Sequence, residues 1–311
     1  MASHRLRTAM FPSGQWLKDL YAEVMALPNV SGCYIGRCQV AGRERGLGLI
    51  CTVGRKVDEG DLPAGGVIAK EYQLNYGKKK FRIKTDVVEV GQSGPFSTLF
   101  AGPGDRQREF RRPNRAPVQA SATIGIAIRH PRFGVIITTA GHALLSRPNI
   151  VIYQRPRPLV LLHNIRKAER PTPFRAQALK AVWTPVRDYT LLRPHPSFEA
   201  ANFYHDVLPL ENVKTVVPEE VGTMAFVLTA RGRKRTRIVG IRATIRVGPL
   251  RVRDAILTEL VTREGDSGCA LIDRERRVIG VLSGFSVING KAVSVFTNPV
   301  TLLQRERATM L

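Results

Sequence analysis

From residue 123 onward the chain is a succession of short apolar runs rich in β-branched residues and separated by turn signals. They occupy 123–128, 134–139, 150–153, 159–162, 178–183, 190–192, 223–229, 237–247, 256–260, 270–272, 278–282 and 292–296. About twelve strands of this length, with hardly a helical period among them, restrict this part of the chain to an all-β sandwich or a pair of barrels.

The first 92 residues read differently. Between Ser13 and Leu27, the residues Trp16, Leu17, Leu20, Tyr21, Val24 and Met25 recur at helical intervals. Ser13 is a candidate cap, and Pro28-Asn29 ends the run. Strands are expected at Val30–Val40, Gly46–Val53 and Arg82–Val90, with a loop or a short turn of helix over Leu62–Tyr72 where Pro63 and Gly65-Gly66 stand. This is a small α/β unit. Residues 93–117, rich in Pro, Gly and Arg, are long for a structureless loop inside one compact domain, so they read as a linker with a boundary near 115. The expected organisation is an α/β N-terminal domain over 1–92, a linker over 93–117 and a β domain over 118–311.

Composition bounds the partners. With 48 basic against 25 acidic residues the formal charge is +23, which attracts nucleic acid, anionic membrane or an acidic protein. Arg231-Gly232-Arg233-Lys234-Arg235-Thr236-Arg237 and Lys78-Lys79-Lys80, the latter near Tyr76 and Phe81, are the densest basic stretches. Aromatic residues make up only 7% of the chain, so base-stacking platforms are scarce. Cys33, Cys38, Cys51 and Cys269 are too few and too unevenly placed for a disulfide framework, and their spacing matches no common zinc pattern. No metal and no cofactor are expected. No apolar stretch of about 18 residues suggests a membrane span, and the N-terminal residues do not form a signal peptide. The expectation is a cytoplasmic protein with free thiols.

Three short motifs carry chemistry. Ser267 stands between glycines in Gly265-Asp266-Ser267-Gly268, His142 follows an apolar run in Thr139-Ala140-Gly141-His142, and Asp188 opens Asp188-Tyr189-Thr190-Leu191-Leu192. A serine hydroxyl is a poor nucleophile near neutral pH and needs a base within hydrogen-bond reach, for which His142 is the candidate. A buried carboxylate fixes the productive tautomer of that base and stabilises the imidazolium that forms, which is the role open to Asp188. Asp206, in His205-Asp206-Val207, is a weaker rival. The backbone amides of Gly265 and Ser267 are candidates for an oxyanion hole, glycine leaving the turn free of a side chain.

The His, Asp, Ser order and these motifs, over 121–300, resemble the trypsin-like, chymotrypsin-fold serine peptidases. The resemblance implies a mainly β protein: a double six-stranded β-barrel, preceded here by the small α/β domain, with the three residues between the barrels. It also implies endopeptidase chemistry on protein or peptide substrates. Val278-Ile279-Gly280-Val281-Leu282-Ser283-Gly284-Phe285 is similar to the strand that binds substrate backbone in that family. By the same likeness Thr262, Ser283, Gly284 and Phe285 are candidate substrate-binding residues. Two departures matter. No Ile-Val-Gly-Gly precedes His142, so Asp266 must find a partner other than a freed N-terminus. No acid stands among Leu260, Val261, Thr262 and Arg263, which points away from cleavage after Lys or Arg and towards an apolar or small residue. Ile35-Gly36, Gly46–Val53 and Lys84–Gly91 resemble the leader of intracellular bacterial trypsin-like proteins, which implies a small α/β unit before the peptidase. Two readings of that unit stand level: it gates the site or docks a target or partner, or it is a structural extension packed on the barrel. The alternative is a weak or inactive peptidase scaffold that binds polyanions, nucleic acid among them, or another protein.

Overall fold

The computed structural model describes residues 15–40, 43–57, 59–63, 65–76, 79–90, 110–111, 122–145, 147–154, 157, 159–163, 173–196, 200, 202–204, 208–229 and 231–311. Ser13, Lys78, the rival Asp206 and most of the 93–117 segment lie outside them.

The chain opens with helix α1 (Gln15–Ala26), which buries Leu17, Leu20 and Val24, the face that its helical spacing defines. Strands β1 (Val30–Val40) and β2 (Arg43–Val53) form an antiparallel pair. β3 (Glu71–Tyr76) and β4 (Lys79–Glu89) form a second pair, and β4 lies parallel to β2. The expected loop thus ends earlier than Tyr72. Glu71, Gln73 and Asn75 alternate with Tyr72, Leu74 and Tyr76, the two-residue period of a strand.

The next strands build one sheet: β5 (Phe110–Arg111), β6 (Ala127–His130), β7 (Gly134–Thr139), β8 (Asn149–Ile152), β9 (Leu159–His163), β10 (Pro173–Thr184) and β11 (Arg187–Pro194). A two-stranded ladder, β12 (Phe203–Tyr204) with β13 (Leu208–Pro209), follows. Six more strands come next: β14 (Met224–Thr229), β15 (Gly232–Val247), β16 (Leu250–Glu259), β17 (Ala270–Ile272), β18 (Val278–Ile288) and β19 (Lys291–Thr297). Helix α2 (Pro299–Glu306) and β20 (Thr309–Met310) end the chain, β20 joining β6 in the first sheet.

The six strands hydrogen-bond in the order β14-β17-β18-β19-β16-β15, and pairing of β14 with β15 closes the ring into a barrel. The first sheet runs β20-β6-β7-β11-β10-β9-β5, with β8 on β10. β15 is long, 16 residues. Its first half pairs with β14; further along, Gly240, Ile241 and Thr244 take β1 as neighbour. The N-terminal strands therefore extend the barrel's sheet and cover an edge that would otherwise present unpaired backbone groups.

One apolar cluster fuses the two sheets. Ile128, Leu179, Tyr189 and Leu191 from the first pack with Leu228, Ala270 and Ile272 from the barrel and with Leu302 and Leu303 from α2. Each leucine or isoleucine of the cluster contributes about 1.5 to 3 kcal/mol when fully buried. α2 has no legible helical period because it is only eight residues long; Asn298 caps it, accepting from the amide of Val300 at 3.0 Å, with Pro299 in the first turn. At its far end the buried Glu306 accepts from Lys180 Nζ at 2.7 Å and from the Tyr189 hydroxyl. Those bonds fasten the helix to β10, through Lys180, and to β11, the strand that carries Asp188, through Tyr189. Among the described residues no helix is long and apolar enough to cross a membrane.

Candidate active site

His142 lies just beyond β7 and Asp188 near the start of β11. The two strands are neighbours, with Thr139 opposite Thr190, so the register itself brings the two side chains together. Asp188 Oδ1 accepts from the amides of Gly141 at 2.7 Å and His142 at 3.0 Å, while Oδ2 faces His142 Nδ1 at 2.7 Å. An ionised carboxylate can only accept, so in the neutral imidazole the proton sits on Nδ1 and Nε2 keeps its lone pair. That lone pair faces Ser267 Oγ at 3.0 Å. Gly141 is required by packing: a Cβ there would fall 1.9 Å from the carbonyl oxygen of Val182.

The serine arrives from the other sheet, on the loop between β16 and β17. Gly265 and Gly268 have φ of 88° and 87°, the left-handed region that glycine adopts without strain. Within the loop the Asp266 amide donates to Arg263 O at 3.0 Å and the Cys269 amide to Asp266 O at 2.9 Å; the Gly268 amide reaches Leu282 O in β18 at 2.8 Å. Thr123 clamps the loop from across the interface: its amide donates to Ser267 O at 2.6 Å and its hydroxyl to Gly265 O at 2.8 Å, while its own carbonyl accepts from Thr139 Oγ1 at 2.9 Å. Ser267, Asp188 and His142 are 0%, 4% and 9% exposed, which strengthens each polar contact by excluding water. The Trp183 ring stands 5.9 Å from the imidazole, tilted by 54°.

Asp266 has found its partner. Arg231, in the turn entering β15, donates to Oδ1 at 2.9 Å, and the Arg263 amide donates to Oδ2 at 3.0 Å. Burial pushes the Asp266 carboxyl above its ordinary range, against the pull of Arg231 and the Arg263 amide. The basic run makes contacts with the barrel, while Arg233, Arg235 and Arg237 stay exposed on its surface. Besides Arg231, Lys234 Nζ donates to Val261 O at 2.8 Å, Arg237 to Gly222 O at 3.0 Å, and the Arg233 guanidinium lies 4.7 Å from the centre of the Phe226 ring.

The closed six-stranded barrel, the second β sheet against it and a Ser, His, Asp chain of hydrogen bonds across their junction are now in view. The fold is chymotrypsin-like. No protein-family model matches the chain, and no curated protein matches it. Among solved structures, protease A of Thermobifida fusca is similar at 15% identity and a TM-score of 0.44, covering 66% of this chain and 96% of that one. A Nocardiopsis protease is similar at 15% identity and 0.45, covering 69% and 97%. Cellulomonas bogoriensis chymotrypsin is similar at 18% and 0.43, covering 66% and 96%. At such identities the chemistry of this chain has to be read from its own side chains.

The four candidate substrate-binding residues lie beside this loop or on β18. Thr262 Oγ1 is 2.7 Å from Ser294 Oγ of β19; Gly284 and Phe285 pair with Val295 and Ser294; Ser283 is buried with its Oγ unpartnered. Thr123 and Ser294 had no signal in the sequence, since each is one more hydroxyl in an apolar run. Arg231 was visible only as part of a charge run. All four cysteines are free thiols and buried, and among the described residues no group of His, Cys, Asp and Glu is placed to hold a metal. Cys269, two residues from Ser267, has its thiol pushed well up by burial, which keeps it protonated and inert.

Proposed function

We propose that the protein is a serine endopeptidase in which Ser267 attacks, His142 is the base and Asp188 orients it. The observation that carries this reading is the aligned pair of contacts, Ser267 Oγ to His142 Nε2 at 3.0 Å and His142 Nδ1 to Asp188 Oδ2 at 2.7 Å. As Oγ bonds to the scissile carbonyl carbon, its proton passes to Nε2, and the imidazolium so formed is stabilised by the Asp188 carboxylate 2.7 Å away. The same proton then goes to the leaving amine as the C–N bond breaks, leaving an acyl-Ser267 ester. Water, deprotonated in turn by His142, releases the acid. The amides of Gly265 and Ser267 are assigned to the oxyanion, each such donor worth about 2.7 to 4 kcal/mol.

The substrate is a protein or peptide, its side chain before the scissile bond received between Thr262, Ser283, Gly284 and Phe285, and no acid stands among Leu260, Val261, Thr262 and Arg263 to select Lys or Arg. Four free thiols favour a reducing, cytoplasmic setting. The unit formed by α1 and β1 to β4, proposed as a domain of its own joined by the 93–117 linker, lends β1 to the edge of β15, which favours a bracing role over a detachable gate. Binding of a polyanion would fall to exposed basic residues, Arg233, Arg235 and Arg237 among them.

The test is covalent labelling with a fluorophosphonate followed by peptide mapping. Label is expected on Ser267, abolished in Ser267→Ala together with hydrolysis of a casein substrate, a loss on the order of a millionfold in kcat. A variant that cleaves as well as the parent would overturn the assignment.

A further inference from the structure

A second concavity lies away from Ser267, between α1 and the β15–β16 pair, with a volume of about 610 Å³. That is within the range of pockets that take small organic ligands, roughly 300 to 1,000 Å³. Its apolar wall is made by Leu17, Tyr21 and Met25 of α1 and by Val186 from the turn between β10 and β11. Its polar part is Lys18, Arg242, Arg251 and Arg253, against the single acid Asp254.

Three facts give this pocket a chemistry. None of the four basic side chains is in an ion pair within 4.0 Å among the described residues, whereas Asp254 already accepts from Asn298 Nδ2 at 3.3 Å. Tyr21, in the wall, has its hydroxyl buried without a hydrogen-bond partner. The pocket is also bounded by three parts of the fold at once: the helix, the barrel, and the β10–β11 turn, whose Pro185 carbonyl accepts from the Arg253 amide at 2.7 Å.

We infer that this pocket binds a small amphipathic anion, an apolar body of roughly ten carbon atoms in the wall of α1 with a carboxylate or comparable head group among Arg242, Arg251 and Arg253. Apolar wall and unpaired guanidinium groups together select this class over neutral lipids, which leave the arginines unused, and over bare anions, which leave the wall uncovered. The assignment does not depend on the peptidase reading.

Sodium decanoate titrated into the full-length protein by calorimetry tests it, with decyltrimethylammonium as the cation of matched tail. Saturable one-to-one binding of decanoate and none of the cation are expected. Ala22→Trp places an indole in the mouth of the pocket from an exposed position on α1 without altering charge, and is expected to abolish binding. Arg251→Gln combined with Arg253→Gln, both exposed, is expected to weaken it about tenfold or more. Diffuse attraction to a chain of charge +23 would survive Ala22→Trp, so that variant separates the pocket from the overall field. No saturable binding up to about 1 mM, equal binding of the cation, or decanoate affinity unchanged in either variant would overturn the inference.

Discussion

Asp188 and Asp266 are both buried aspartates within one site, and the fold treats them in opposite ways. Asp188, in the eight-stranded sheet, is surrounded by neutral donors, the Gly141 and His142 amides and the imidazole. Asp266, in the barrel's loop, is held by a guanidinium. In the proposed mechanism the difference matches what each charge would do: a cation beside Asp188 would neutralise the field that stabilises the His142 imidazolium, and the described partners of its carboxylate are dipoles alone. Asp266 has no proton in transit near it, and a full counter-charge turns it into a pin that fixes the turn on which Ser267 sits. One region keeps its charge available; the other cancels it.

Asp188→Asn breaks the first half of that comparison most severely. The amide oxygen can still accept from Gly141 and His142, so the fold is expected to persist with a melting temperature near the parent's. Its NH2 group then faces Nδ1, which becomes an acceptor, and the proton moves to Nε2, where it opposes the Ser267 hydroxyl. Turnover on a peptide substrate is expected to fall about 10⁴-fold. A loss of less than tenfold would show that Asp188 does not set the tautomer.

Arg231→Ala acts on the second half and has the reverse signature, in stability as much as in rate. It leaves the Asp266 carboxylate buried without its cation, at a cost of about 3 kcal/mol in denaturant unfolding and at least a hundredfold in turnover as the loop loosens. The pH dependence has a definite sign. The folded pKa of Asp266 already lies above its unfolded value because of burial, and losing Arg231 raises it further. The native state of the variant then holds a proton that the unfolded state releases, so its stability relative to the parent falls as pH rises from about 4 through that raised pKa. Near pH 3, roughly below both values, the two proteins are expected to differ least. Arg231→Lys, keeping the charge without the planar fork, is expected to fall between them. A deficit independent of pH would remove Asp266 from the account.

The two aspartates were also unequally legible. Asp188 could be picked out because its requirements are local in the fold's logic: an acid opening an apolar strand that pairs with the strand before His142. The strands of the barrel were legible for a similar reason, since period and turn chemistry act over a few residues. Arg231 lies 35 residues from Asp266 in the chain, within a run whose charge suggested a surface. Charge counting says how many bases a chain has, not which carboxylate lies opposite when β15 folds back on β14. The attachment of β1 to β15 escaped for the same reason: it depends on where β14 stops, which no local pattern in either strand records.

Thr123 tests the junction between the two regions, with the smallest expected effect. It belongs to neither aspartate, yet its amide and hydroxyl hold the carbonyls of Ser267 and Gly265 on one side while its carbonyl is held by Thr139 on the other. Thr123→Val keeps the shape and both backbone bonds and deletes only the hydroxyl, so Gly265 O loses its Thr123 donor. The expected cost is about 1 kcal/mol of stability, with about a tenfold slower turnover if the carbonyl's tilt alters the aim of the neighbouring amides. The slowing belongs in kcat with KM unchanged, because the hydroxyl binds no substrate and its loss is felt only where charge develops on the oxyanion. An increase in KM at constant kcat would instead make Thr123 part of the substrate surface, and the loop's rigidity would then rest on Arg231 and the backbone alone.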